Sequence, residues 1–303
     1  MQTRDVGELL LLSVLWGAAY LFMRAAVPAF GPAPLIALRM AIAVAVLLPL
    51  LLWRGGIGQL RSRPIALVVI AVPFTALPFL MLGFAAQHLT AGLLAVLNAT
   101  APLFAALLAH FVYHERLGGW RSTGLVLGFA GVALLTAGSV SFKSANGLLA
   151  VAAVLFTSAL WSVGANFARS RFGGIDNLAL TVGSLGLASL ATTPLAIVTW
   201  PIEPPPLRAW IEMAFLGVAS SGLGFLLYYR LLRRIGAVRA MSVTFLNPVV
   251  ALIAGALYLG ELLTWQTLAG AAVVLAGTAL SLGLWPSRSV PAPALPAANE
   301  EHR

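Results

Sequence analysis

Inside long apolar runs, the sequence carries a small set of side chains able to do more than pack. Trp16 and Tyr20 lie one helical turn apart, and Phe79, Trp161, Phe225 and Tyr228, with Tyr229 beside it, recur at depth in other runs. Aromatic rings with a polar tip suit a cavity that receives amphipathic solutes and their cationic groups. The same residue types also favour a membrane–water boundary, the expected station of Trp53, Trp200 and Trp285 at the ends of runs. Asn98 and Asn247 add amides near the centres of two runs. An unpaired amide facing lipid costs about 2–7 kcal/mol, so both are expected to face inward, either as glue between helices or as ligand contacts.

Pro102 and Pro248 each sit eleven residues into a run, where the missing N–H and the ring should break a helix and free the carbonyls of Asn98 and Thr244. Backbone freed at that depth is tolerated only against protein or a watered cavity. Such breaks read as hinges, or as static kinks closed by a neighbouring hydroxyl; Pro78, with Pro73 nearby, has the same two readings. Ionisable residues at depth are few. Arg39 is placed near enough to the outer face to snorkel, with structural pairing favoured over substrate contact as its role. Glu115 and Glu261 end their runs and are expected to fix the following turns. His110 and His114 share a helix face, but the order is wrong for a zinc helix and no third ligand is evident. No nucleophile stands beside a base at depth, so an intramembrane enzyme is not expected, and neither a metal nor a cofactor is called for.

The elements that must position these residues follow from composition. Of 303 residues, 60% are hydrophobic and 9% charged, too little polar surface for a water-soluble domain. Runs of about twenty apolar residues match the roughly 30 Å hydrocarbon core. They are apolar on every face, unlike the alternating strands of a membrane barrel. Predicted spans are 8–27, 33–53, 65–86, 91–112, 120–138, 147–168, 177–199, 210–231, 237–259 and 265–285, with a Pro/Ala-rich tail at 286–303 expected to be disordered. The net charge of +9 is scattered between spans rather than gathered in a nucleic-acid stripe. With both termini in the cytoplasm, fourteen Arg fall on that side and only Arg24, Lys143 and Arg208 on the other, with Arg39 inside a span. Cysteine is absent, which excludes disulfides and thiolate metal sites.

At an offset of 146 residues Pro102 meets Pro248, Glu115 meets Glu261, Gly124 meets Gly270 and Gly131 meets Gly277; at 145, Trp16 meets Trp161. Each half has an odd number of spans, so the copies should lie oppositely in the membrane, with a binding site near the midplane between them. Phe245-Leu246-Asn247-Pro248, Gly260-Glu261, Gly270 and Gly277 resemble the EamA domain of the drug/metabolite transporter superfamily. Residues 1–140, with Ala99-Thr100-Ala101-Pro102 and His114-Glu115, repeat the pattern more loosely than 145–285.

The resemblance implies an all-α polytopic membrane protein whose ten transmembrane helices, as two inverted five-helix repeats, surround a central cavity. It further implies efflux of small organic solutes across a bacterial inner membrane, as in aromatic amino acid and methyl viologen exporters. Its substrate-binding set is expected to be Trp16, Tyr20, Phe79, Asn98, Trp161, Phe225, Tyr228 and Asn247, with Pro102, Pro248 and Pro78 as hinges. Apart from Arg39 the spans offer no cation for an anionic substrate, which favours neutral or zwitterionic metabolites, amino acids first. The alternatives are multidrug or cation efflux, and exchange of sugar phosphates or nucleotide sugars. The expected partners are the small-molecule substrate and the bilayer, not nucleic acid; a monomer is expected, with a dimer as the alternative.

Overall fold

The computed structural model describes residues 3–112, 114, 117–137, 145–172, 174–235, 240 and 242–282, and these are all helix and connection. The helices are α1 (Thr3–Phe30), α2 (Pro32–Trp53), α3 (Pro64–Ala86), α4 (Ala91–Phe111) and α5 (Gly119–Ala137). There follow α6 (Ala145–Arg171), α7 (Asn177–Val198), α8 (207–235), α9 (Val243–Leu259) and α10 (Trp265–Ser281). Seven of them are long and apolar enough to cross a membrane, and α9 and α10 are shorter apolar helices. Large apolar side chains point outward, Val198 at 84% and Leu257 at 83% exposure, as they must where lipid is the solvent. This is a polytopic membrane protein. The proposed tail 286–303, Glu115 and Trp285 lie outside the described residues.

Helix boundaries follow the local chemistry. Gly31, at φ 76°, turns the chain before Pro32 opens α2. Thr90, Asp176 and Thr264 accept the amides of Leu93, Leu178 and Thr267 at 3.3, 2.8 and 3.1 Å, capping α4, α7 and α10. At the other end of α1, the helix runs past the apolar stretch because its polar first turns have partners. Asp5 and Glu8 hold Arg234 of α8 at 2.5 and 3.0 Å, and Glu8 also meets Arg230 at 3.7 Å.

The helices pack in a reciprocal set of pairs: α1 with α9 and α4 with α6; α1 with α8 and α3 with α6; α2 with α8 and α3 with α7. Three further pairs, α2 with α7, α4 with α9 and α5 with α10, complete it. The α5–α10 crossing is backbone against backbone. A Cβ on Gly277 would lie 2.3 Å from the Gly128 nitrogen, and one on Gly124 would lie 2.4 Å from the Ser281 nitrogen. These glycines are therefore spent on close packing within the chain.

Three helices depart from α geometry. α4 is interrupted at Ala99–Thr100, between Ala91–Asn98 and Ala101–Phe111. α3 and α8 contain wide π turns at Val72–Ala76 and Phe215–Leu223. The matched break expected at Pro248 is not there: α9 runs unbroken from Val243 to Leu259 with Pro248 inside it. Pro248 is the sixth residue of that helix, close enough to its start that few of the preceding carbonyls are committed to the ladder.

Glu261 also departs from expectation. Instead of fixing its own turn it reaches to α4, both carboxylate oxygens accepting the Ala91 amide at 2.9 and 3.1 Å. Burial pushes this carboxyl above the ordinary value, against the pull of the Ala91 and Gly92 amides and of Arg24. A native value above the unfolded one means that the folded protein holds the proton more tightly. The associated stability is present at low pH and is lost as pH rises through the native value. Glu261→Gln is accordingly expected to flatten the fall in Tm of detergent-purified protein as pH rises from about 4. Gly277→Val, which forces a side chain into the α5–α10 backbone contact, is expected to lower stability by about 2–3 kcal/mol in the same thermal assay.

Candidate functional site

The departures from α geometry surround a cavity of about 470 Å³. Every side chain expected in the binding set lines it: Trp16, Tyr20, Phe79, Asn98, Trp161, Phe225, Tyr228 and Asn247. Among the expected hinges Pro102 also lines it, whereas Pro248 is buried beside it and Pro78 sits at the end of the α3 π turn. The side chain of Tyr229 lies outside the described residues.

The aromatic walls are built in two places. On one side the Trp16 ring lies 5.8 Å from Phe225 and 5.3 Å from Tyr228, joining α1 to α8. On the other, Trp161 meets Phe79 edge-on at 5.6 Å, joining α6 to α3. Trp16 owes its seat to the π turn. A wide turn leaves carbonyls without a ladder partner, and the Trp16 indole N–H donates to that of Ser220 at 3.1 Å. Only a glycine at 224 leaves room, since a Cβ there would stand 2.5 Å from the indole nitrogen.

The break in α4 is closed by hydroxyls from other helices. Ser158 donates to the Asn98 carbonyl at 3.4 Å, Thr278 to that of Ala99 at 3.3 Å, and Ser162 to that of Ala101 at 2.7 Å. In the third span Thr157 donates to the Pro78 carbonyl at 3.2 Å, and Thr75 to that of Ile70 at 3.0 Å. In this conformation the freed carbonyls are thus occupied by protein donors.

The amides are not fully occupied. Asn98 donates to the Tyr20 hydroxyl at 2.6 Å, tying α4 to α1, but its side-chain oxygen is buried without a partner, as is that of Asn247. A buried acceptor left open costs about 1–3 kcal/mol, so these oxygens mark where a donor belongs. Asn98 is thereby both glue and open acceptor, while Asn247 presents its oxygen alone.

Arg39 pairs within the fold. It does not snorkel: the residue is 6% exposed and its guanidinium forms part of the cavity wall. Nε donates to Ser221 Oγ at 2.9 Å, Nη2 to Ser220 Oγ at 3.4 Å, and the guanidinium carbon lies 4.8 Å from the centre of the Phe79 ring. The close approach of α2 to the π turn, at Gly217 and Gly222, brings these serines to it. The sequence signal for this is the Ser220–Ser221 pair, since two hydroxyls in an apolar run are what a buried guanidinium needs.

Compared with known proteins, the sequence matches the EamA-like transporter family twice, at residues 7–137 and 148–283. The chain belongs to the EamA-like transporter family. Its curated relatives include the uncharacterized inner membrane transporter YedA of Escherichia coli K12, 28% identical with 97% of each chain covered. The uncharacterized transporter YoaV of Bacillus subtilis is 23% identical, the match covering 92% of this chain and 97% of that protein. A crystal structure 19% identical superposes with a TM-score of 0.66 over 94% of this chain and 98% of the other, which shows a shared fold. The EamA-like chain is thus a multi-pass membrane transporter of the drug/metabolite type, and the cavity sits within it.

The hydroxyl closure of the α4 break has a measurable consequence. Ser162→Ala leaves the Ala101 carbonyl without its 2.7 Å donor and is expected to lower stability by about 1 kcal/mol, read as a lowered Tm in detergent. Ser170→Ala, which removes an exposed hydroxyl at the far end of the same helix, serves as the control expected to leave Tm unchanged.

Proposed function

We propose that this protein is a secondary transporter that carries neutral or zwitterionic metabolites, amino acids foremost, out of the cytoplasm by alternating access. The carrying observation is the chemistry of the cavity: aromatic walls beside two amide oxygens that lack donors. An apolar body with a primary ammonium fits both features, since an ammonium supplies up to three N–H donors and stabilises itself against ring faces. The volume of about 470 Å³ lies in the ordinary range for small-molecule sites, roughly 300–1,000 Å³.

The proposed architecture is ten membrane-crossing helices in two inverted five-helix repeats, 1–140 and 145–285, with both termini in the cytoplasm of a bacterium and the chain in its inner membrane. Several observations support this. The family matches twice, at 7–137 and 148–283. Exchanging each helix with the one five places later carries several of the main packed pairs into one another, so α1 on α9 answers α6 on α4. The aromatic contacts follow the rule as well, Trp16 on Phe225 answering Trp161 on Phe79.

For alternating access, the pairs that tie the ends must open in turn. Asp5 and Glu8 on Arg234 close α1 against α8 at the end assigned to the cytoplasm. At the opposite end Arg208, Glu212 and Tyr258 link α8 to α9, Arg208 to Glu212 at 3.0 Å and the Tyr258 hydroxyl to Glu212 at 3.2 Å. Between them lie the interrupted α4 at Pro102 and the π turn near Pro78, the places where a helix bends at least cost. We assign the rocking motion to these, with Pro248 as a weaker third point, and the working unit to the monomer.

The test is uptake into proteoliposomes holding a panel of labelled amino acids, with and without an imposed pH gradient. Exchange of at least one amino acid is expected, and Trp161→Ala or Asn247→Leu should reduce it about tenfold or more while Tm is retained. Transport indifferent to substitutions at Trp16, Asn98, Trp161, Tyr228 and Asn247 would place the substrate elsewhere.

A further inference from the structure

Arg39 is a buried cation whose charge no carboxylate among the described residues balances. Among the described residues no carboxylate lies within 4.0 Å of it, although every other buried or half-buried acid is engaged elsewhere. Asp5 and Glu8 hold Arg234, Glu212 holds Arg208, and Glu261 takes the Ala91 amide. Arginine stays protonated at any working pH, so the charge cannot be shed. Serine hydroxyls and the Phe79 ring attenuate it without neutralising it, and an uncompensated charge at membrane depth is costly and marks a functional site.

The geometry of the fork says what is missing. Nε and Nη2 spend one edge of the guanidinium on Ser221 and Ser220. Nη1 has no hydrogen-bond partner among the described residues, and with the second N–H of Nη2 it forms the other edge, on a side chain that lines the cavity. Two parallel N–H donors of this kind match the two oxygens of a carboxylate. The serines hold the plane, so that the free edge is presented in one orientation.

We propose that Arg39 is the anion subsite of the cavity and that the transported molecule carries a carboxylate which binds its free edge. This rests on the cavity being the substrate site. Charge counting separates the carboxylate from phosphate. Arg39 is the only basic side chain among the described residues lining the cavity, so a monoanion is balanced and a phosphate monoester, near −2 at neutral pH, leaves a net negative charge in a low-dielectric chamber. With the amide oxygens of Asn98 and Asn247 taking an ammonium, the chamber is neutral when an α-amino acid occupies it.

The test uses the purified full-length protein and three probes: L-phenylalanine, its carboxamide, and inorganic phosphate. Binding is read by quenching of tryptophan fluorescence, since Trp16 and Trp161 line the cavity, and by the shift in Tm. The wild type is expected to prefer the amino acid over its amide by about 100-fold and to ignore phosphate. Arg39→Gln is expected to erase that preference by weakening the amino acid alone, leaving the amide as before. Arg39→Lys keeps the charge and so preserves folding should the glutamine variant fail; it is expected to retain part of the preference and to lose about tenfold in affinity for the amino acid.

A folded Arg39→Gln or Arg39→Lys that discriminates as the wild type does would overturn the assignment of Arg39 while leaving the cavity as the substrate site. Wild type that binds amide and acid alike, or phosphate more tightly than either, would overturn the carboxylate. Absence of any response to amino acid or amide, in a protein whose transport of other solutes is intact, would instead overturn the amino-acid reading of the cavity.

Discussion

In a bilayer core no water is at hand to receive a stray N–H or C=O, and each such group costs several kcal/mol if left alone. Regular helices meet this demand by themselves; an enclosed chamber with specific chemistry does not, because its walls must bend. Each irregularity therefore comes with its own donor. The wide turn in α8 offers the Ser220 carbonyl to the Trp16 indole, and the break in α4 is met by Ser158, Ser162 and Thr278. The π turn of α3 is back-bonded by Thr75. The polar groups of the cavity wall and those that repair the backbone thus belong to one network, and the cavity lies where the helices are least regular.

Electrostatics divides the molecule along its length. Ion pairs gather near helix ends, where Asp5, Glu8, Arg230 and Arg234 bind α1 to α8 and Arg208 pairs with Glu212. Each joins a buried or nearly buried carboxylate to a more exposed arginine, Glu212 at 3% beside Arg208 at 64% and Asp5 at 9% beside Arg234 at 30%, so water reaches one partner of each pair. Arg39 is different in kind: held by hydroxyls and a ring, it keeps a full charge in the middle of the fold with room for a counterion. The ends are paired, and the centre favours an anionic occupant.

Packing supplies rigidity where motion is not wanted. The α5–α10 contact is so close that Gly124, Gly131 and Gly277 leave no space for a methyl group. A backbone-to-backbone contact has no flexible side chain to yield, so this pair behaves as a fixed post beside the chamber. The contrast with α4 and α9 is instructive: their prolines align at an offset of 146 residues, yet α4 is interrupted before Pro102 and α9 carries Pro248 within a continuous helix. The two prolines thus stand in different local geometry, one after a break and one within a helix.

The sequence by itself determined the apolar helices and some of their limits, because hydropathy and capping act over a few residues, although 8–27 and 237–259 stand against Thr3–Phe30 and Val243–Leu259. Predicted spans such as 33–53 and 177–199 differ from Pro32–Trp53 and Asn177–Val198 by a single residue at an end. It also named eight of the side chains that line the cavity, since polar and aromatic groups at the centre of an apolar run have few other places to go. Only the tertiary structure decided their partners. Nothing in the run around Arg39 tells whether its guanidinium reaches the membrane surface or turns inward; that depends on Ser220 and Ser221, about 180 residues away, and on a π turn that presents them. The same holds for Glu261, whose carboxylate caps α4 rather than its own turn. Burial is legible locally because it is a property of one segment and its solvent. Pairing is not, because it belongs to two segments that meet only after the chain has folded.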